Sequence, residues 1–103
     1  MNAASSQKAF YVLEMSVGYA SVDEARREAP EEIAAHFARS KEFHERGELL
    51  LAGAFLDDEP GLRTMGVFTS PDAAEDFARG DPFVLIGRVS EWRVRPWANM
   101  FAG

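Results

Sequence analysis

Histidine is the only residue type in this 103-residue chain whose charge ordinarily changes near neutral pH, and it occurs twice, as His36 and His44. The chain has no cysteine, which excludes a thiol nucleophile, a thiolate metal site and a disulfide framework. The two histidines fall on one predicted helix, about 12 Å apart along its axis, which is too far to share a metal ion. A metal centre is therefore poorly supported, and these two histidines are the side chains that could transfer a proton near neutral pH.

A histidine that transfers protons needs a group that orients its ring, and Asp81 is a candidate. The segment Gly80-Asp81-Pro82 places this carboxylate at a predicted helix end, where proline restricts the backbone. From residue type and position alone, His36 is more simply a helix-edge histidine that hydrogen-bonds a backbone carbonyl or faces water. Asp81 before a proline could simply close a turn. His44 lies near the helix end, where a cation favours the helix dipole, and is interpreted as structural.

Other polar and aromatic residues offer less specific chemistry. The acidic turn at 57–59 lacks the ligand spacing of an EF-hand loop, so we interpret it as a solvated turn and not as a calcium site. Trp92 and Trp97 are most simply core or interface aromatics, although a tryptophan beside a cleft would also suit a flat ligand.

Composition excludes several classes of function. The net charge of -6 and the pI of about 4.8 argue against a partner that is nucleic acid or an anionic membrane surface. The glycine fingerprints of P-loop and dinucleotide folds are absent. No apolar run approaches the ~20 residues that span a bilayer, and the first eight residues lack the apolar stretch of a signal peptide. We expect a single cytoplasmic domain over 1–103, with its core at about 9–97.

Hydropathy patterns predict the elements that position these residues. Alternating apolar residues indicate strands at 9–17, 48–55, 62–69 and 88–96. A capping-box match at Ser21 predicts a short helix that ends before Pro30. Longer helices are predicted over 30–46 and from 70 to 80, followed by a structured connection at 81–84. Residues 1–7 and 97–103 are predicted to be tails.

The resulting order, β-α-β-β-α-β, is the ferredoxin-like arrangement of the α+β class. It places a four-stranded antiparallel sheet under two helices, which cover one face. The other face keeps several apolar residues, and such a patch is unusual in water. We therefore predict a homodimer in which two sheets pack face to face, the dimeric α+β barrel.

Several sequence motifs occur in an order and spacing that resemble a known family. They are His36, Glu45-Arg46-Gly47-Glu48-Leu49, Leu51-Ala52-Gly53-Ala54, Ser70-Pro71-Asp72-Ala73-Ala74, Asp81-Pro82-Phe83, Gly87 and Val94-Arg95-Pro96-Trp97. Over about 9–97 the chain resembles the YCII-related (YciI-like) proteins of the dimeric α+β barrel superfamily. One reaction among these relatives is the dehydrochlorination of a chlorinated hydroxyhydroquinone.

The resemblance implies an active-site pair made of His36 and Asp81, with Gly53 near the same pocket. Aromatic residues, Phe83 and Trp92, are expected to form walls for a small, flat or cyclic substrate with an acidic proton. The implied function is a lyase, isomerase or hydrolase that needs no metal or organic cofactor. The alternative is a non-catalytic small-molecule binding or accessory protein. A third, weaker possibility from the superfamily is oxidation of aromatic substrates or degradation of haem.

Overall fold

One antiparallel sheet forms the base of the molecule, with strands in the order β2-β3-β1-β4. The computed structural model describes residues 6–57 and 60–102; most of the predicted N-terminal tail and part of the acidic turn, Asp58 and Glu59, lie outside them. The strands are β1 (Ala9–Val17), β2 (Leu49–Ala54), β3 (Leu62–Phe68) and β4 (Val89–Ala98). The strand order and the antiparallel pairing confirm the ferredoxin-like arrangement.

Most of the described helices begin directly after a residue whose side chain caps them. The helices are α1 (Val22–Glu28), α2 (Pro30–Glu45), α3 (Pro71–Gly80) and α4 (Pro82–Leu85). The Ser21 hydroxyl accepts the Glu24 N–H at 3.1 Å, and the Ser70 hydroxyl accepts the Ala73 N–H at 3.1 Å. Proline occupies the first turn of the last three helices, where its missing N–H leaves no partner unsatisfied.

The end of α2 is fixed by contacts to the strand that follows it. Gly47 has a φ of 76°, a left-handed conformation that glycine adopts without a Cβ penalty. Nδ1 of His44 lies 2.7 Å from the Leu49 carbonyl oxygen and donates to it. His44 therefore ties the helix end to β2, in agreement with its interpretation as a structural residue.

The core lies between the helices and one face of the sheet. Strand β1 contributes Leu13, an almost fully buried residue, at its centre. Above it, the ring of Phe77 from α3 lies 5.2 Å from that of Phe43 on α2 and 5.3 Å from that of Phe68 on β3. These aromatic contacts set how α2 and α3 lie against each other, because close-packed rings leave little freedom to slide.

The opposite face of the sheet carries no helix among the described residues. Val12 on β1 stands between Val67 on β3 and Arg95 on β4, and Met65 lies diagonally from it. Beside Val12, Oε1 of Glu14 accepts from Arg93 and from Arg95, each at 3.3 Å. This surface, which we call the open face, is thus apolar at its centre with an ion-paired cluster beside it.

Two predicted tails and one predicted connection were wrong in part. Strand β4 runs to Ala98 instead of stopping at 96, because Trp97 pairs across the sheet with Phe10. Gln7 is held by the sheet, since its side-chain amide donates to the Thr69 carbonyl at 2.7 Å. The connection after Asp81 forms the single-turn helix α4.

Candidate active site

His36 and Asp81, which are separated by the β2–β3 hairpin and α3, meet in the folded chain. Nδ1 of His36 lies 2.5 Å from Oδ1 of Asp81. The Asp81 side chain is 1% exposed, whereas that of His36 is 25% exposed. With Nδ1–H donating to the carboxylate, the other ring nitrogen, Nε2, carries the lone pair and can accept a proton.

Asp81 is held in place by its position between two helices. It follows the last residue of α3 and caps α4, where its Oδ2 accepts the Phe83 N–H at 3.0 Å. Each carboxylate oxygen therefore has one partner, a backbone amide or the imidazole. A buried carboxylate is stable only when it is paired in this way.

Three aromatic rings enclose the imidazole. The ring of His36 lies 6.1 Å from Phe37, 6.0 Å from Phe77 and 5.9 Å from Phe83, measured between centroids. None of them stacks parallel to it. These contacts limit rotation of the imidazole, so that the hydrogen bond to Asp81 sets its orientation.

A cavity of about 220 Å³ opens beside this pair, between α2 and the sheet. Its walls are mostly apolar and include the predicted site residues Gly53 and Phe83. A Cβ built on Gly53 would meet nothing within 4 Å, so this glycine borders open space. His36, Asp81, Gly53 and Phe83 thus line one cavity.

Trp92, the remaining predicted wall residue, lies elsewhere. It is not among the described residues that line the cavity. It pairs with Met15 across β1 and β4 and packs, partly buried, against the core. The alternation of residues in β4 predicts which face of the sheet Trp92 lies on. It does not predict whether Trp92 reaches the cavity, which depends on the strand order: β4 is the edge strand on the side away from β2.

Two cavity residues were not singled out from the sequence as site residues. Ser40 lies one turn after His36 and donates to the His36 carbonyl at 2.8 Å. Thr64 on β3 lies two residues from Leu62 and two residues from Gly66, so it shares their helix-side face. A polar residue on an inward face of a strand was the signal that could have identified Thr64.

Two further features, a group of metal ligands and a membrane-spanning helix, are absent among the described residues. Within the described residues, no three His, Asp or Glu side chains converge as metal ligands. No helix described in the structure is long and apolar enough to cross a membrane. Behind Phe83, the guanidinium of Arg88 lies 4.4 Å from the centre of the Tyr19 ring. The interaction with Tyr19 raises the pKa of Arg88 above its usual range, helped by Glu28.

Comparison with known proteins agrees with this architecture. Residues 9–98 match the model of the YCII-related domain. The chain is a member of the YCII-related domain family. The protein YciI of Escherichia coli O6:H1 and that of Shigella flexneri are each 33% identical to it over 76 residues, which cover 65% of this chain and 78% of each relative.

Solved structures place this YCII-related domain in the dimeric α+β barrel fold. The 5-chloro-2-hydroxyhydroquinone dehydrochlorinase TftG from Burkholderia phenoliruptrix, solved with 2,5-dihydroxybenzoquinone, superposes with a TM-score of 0.60 at 18% identity. The match covers 86% of this chain and 94% of TftG. A protein from Shewanella oneidensis gives 0.52 at 16% identity, over 90% of this chain and 92% of its own.

In this YCII-related domain, Arg39 joins the two helices that carry the pair. Its Nη2 donates to the Asp76 carbonyl at 2.8 Å and its Nε to the Phe77 carbonyl at 3.3 Å, both near the end of α3. The guanidinium also lies 5.0 Å from the centre of the Phe43 ring. Gly80 leaves room for it, since a Cβ at that position would clash with the guanidinium.

We expect Arg39→Ala to lower the free energy of unfolding by about 1–2 kcal/mol, because two hydrogen bonds and the contact with Phe43 are lost together. Thermal unfolding followed by circular dichroism would measure the loss. Lys41→Ala is the control, because within the part of the chain that the structure describes Lys41 makes only an exposed ion pair with Glu45, worth at most about 0.5 kcal/mol. Equal unfolding temperatures for the two variants would contradict this role of Arg39.

Proposed function

We propose that this YCII-related domain is a small-molecule enzyme in which His36 and Asp81 transfer a proton without a metal or organic cofactor. The observation that carries the proposal is the 2.5 Å contact between Nδ1 and Oδ1 at the wall of the cavity. General acid-base catalysis needs a base that is oriented and within reach of the ligand. A buried acceptor on one ring nitrogen provides the orientation.

The proposed step begins with a ligand bound between α2 and the sheet. Nε2 of His36 takes a proton from an acidic O–H or C–H of the ligand, and the electron pair of that bond stays on the ligand. Asp81 stabilises the imidazolium that forms, without taking the proton itself. Return of the proton to another atom of the ligand gives an isomerase. If the electron pair instead forms a double bond while a leaving group departs with the pair of its own bond, the reaction is that of a lyase.

The TftG structure supports the same class of chemistry. Loss of hydrogen chloride from a chlorinated ring breaks a bond to hydrogen and a bond to chlorine, so a group that accepts the proton suffices in principle. The name of TftG describes a dehydrochlorination, and its solved structure contains the one-ring quinone 2,5-dihydroxybenzoquinone. For this chain we propose a substrate of similar kind, which is a small cyclic molecule with an acidic proton.

Hydrogen-deuterium exchange tests the proposal whatever the product of the reaction is. We would incubate the protein in D₂O with a panel of one-ring molecules that carry an acidic C–H, and follow that proton by NMR. Chloride release from 5-chloro-2-hydroxyhydroquinone would be measured in parallel. The proposal predicts catalysed exchange or elimination for at least one compound. If compounds bind in the cavity but none reacts, the protein is a non-catalytic binding module instead.

We also propose that the working form is a homodimer in which the open face of each subunit covers the other. Support comes from the fold, that of the dimeric α+β barrel, and from the apolar centre of the open face. Val67 is only 4% exposed, yet it lies on the side of the sheet away from the helices. A second copy would bury its exposed neighbours, such as Leu51 at 71% exposure.

A further inference from the structure

The ionisable side chains that line the cavity form a single hydrogen-bonded pair. His36 and Asp81 are the ionisable residues among its described walls, and no lysine or arginine lines it. Arg39, on the same helix, is turned toward the carbonyls of α3. With the imidazole of His36 neutral, as the proposed proton acceptor must be, the cavity contains one carboxylate and no cation that could pair with an ionised ligand.

An anionic ligand would meet an unfavourable field there. Asp81 is 1% exposed, so water screens its charge poorly. A second negative charge beside it would lose its hydration and gain no counterion, which costs several kcal/mol for an unpaired carboxylate. The remaining polar wall groups, the hydroxyls of Ser40 and Thr64, are uncharged. The Thr64 hydroxyl makes no hydrogen bond within the described residues and can pair with a neutral ligand oxygen.

The volume of the cavity suits a small cyclic ligand. An apolar cavity of about 150 Å³ accommodates benzene. At about 220 Å³ this cavity has room for one such ring and a few small substituents.

From these observations we infer that the cavity selects an uncharged ligand, such as a substituted ring, and excludes carboxylates and phosphates. The inference rests on the proposed function in so far as the ligand is the substrate of the His36–Asp81 pair. The ligand then enters with its acidic proton in place and becomes negative only when Nε2 of His36 has taken that proton. The charge that develops on the ligand faces the new imidazolium, so binding and proton transfer use the same group.

Benzyl alcohol and benzoate are probes of nearly equal size that differ in charge. At about pH 8 benzoate is fully ionised. We expect benzyl alcohol to bind at least about tenfold more tightly, as measured by protein-observed NMR titration with shifts at the cavity residues. Benzoate binding as tightly as benzyl alcohol would overturn the inference, and so would a cavity that takes neither probe.

Ile33→Arg tests the cause of the selectivity. Ile33 lines the cavity one helical turn before His36 and is half-buried, so an arginine there can place its guanidinium at the wall. We expect benzoate affinity to rise by about tenfold or more. Ile33→Met is the matched control, since it changes shape but not charge, and it should keep the preference for benzyl alcohol. A gain of benzoate binding in both variants would show that charge is not the cause.

The two proposals can fail separately in these experiments. Preference for the neutral probe without any catalysed exchange would leave the charge selectivity standing and overturn the proton-transfer function. Catalysed exchange in a protein that prefers benzoate would do the reverse.

Discussion

Replacing His36 by glutamine should reduce turnover by about 10²–10⁴-fold, the usual contribution of a positioned general acid-base group. Glutamine has no group that accepts a proton near neutral pH, so the step assigned to Nε2 is lost. Its amide can still donate to Oδ1 of Asp81, which keeps the buried carboxylate paired. The fold should therefore survive, and the fall should appear in kcat.

His44→Gln is the matched control for this substitution. It changes the same residue type on the same helix. The ring of His44 donates to the Leu49 carbonyl and is not among the described residues that line the cavity. Initial rates of deuterium exchange or chloride release would be compared for the two variants with the best compound from the panel. Equal rates in His36→Gln and in the unmodified protein would remove the imidazole from the mechanism.

The sheet and its helices could be predicted from the sequence because their signals are local. Alternation in β1 separates Leu13 and Met15 from Val12 and Glu14, and the structure places the two sets on opposite faces. Ser70 and Pro71 mark the start of α3 in the same way. Such signals need only neighbouring residues.

The ends of elements were predicted less well where a distant partner decides them. Trp97 belongs to β4 because Phe10 lies opposite it on β1, at the other end of the chain. The helix α4 forms because the Asp81 side chain accepts a backbone N–H two residues on. Neither interaction produces a periodic pattern of apolar residues that could be recognised in the sequence.

The residues alone make Asp81 a candidate partner of His36, but only the family resemblance turns the two into a predicted pair. His36 and Asp81 are 45 residues apart, and no spacing rule brings them together. They meet because Phe43 and Phe77 fix the helices that carry them and because Arg39 binds the end of α3. Trp92 could not be assigned a place by alternation alone, since alternation gives a residue's face but not its distance from a cavity.

Val12→Asp should convert the proposed dimer into monomers. Val12 lies at the centre of the open face, between Val67 and Arg95. A twofold interface carries every substitution twice, so two carboxylates would be buried opposite the partner surface, at a cost of several kcal/mol. We expect a loss of dimer affinity of at least about a thousandfold. Analytical ultracentrifugation at about 10 µM protein would detect it.

Ser16→Asp is the control for position, because Ser16 lies on the same face of β1 but near its end, opposite Arg63 and Glu91. A carboxylate there stays at the rim, where water and Arg63 keep it stable, so this variant should remain dimeric. In the Val12→Asp monomer the new carboxylate faces water, so the subunit should keep its far-ultraviolet circular dichroism. A Val12→Asp protein that stays dimeric would exclude the open face as the interface, and an unmodified protein that is monomeric at this concentration would exclude the dimer itself.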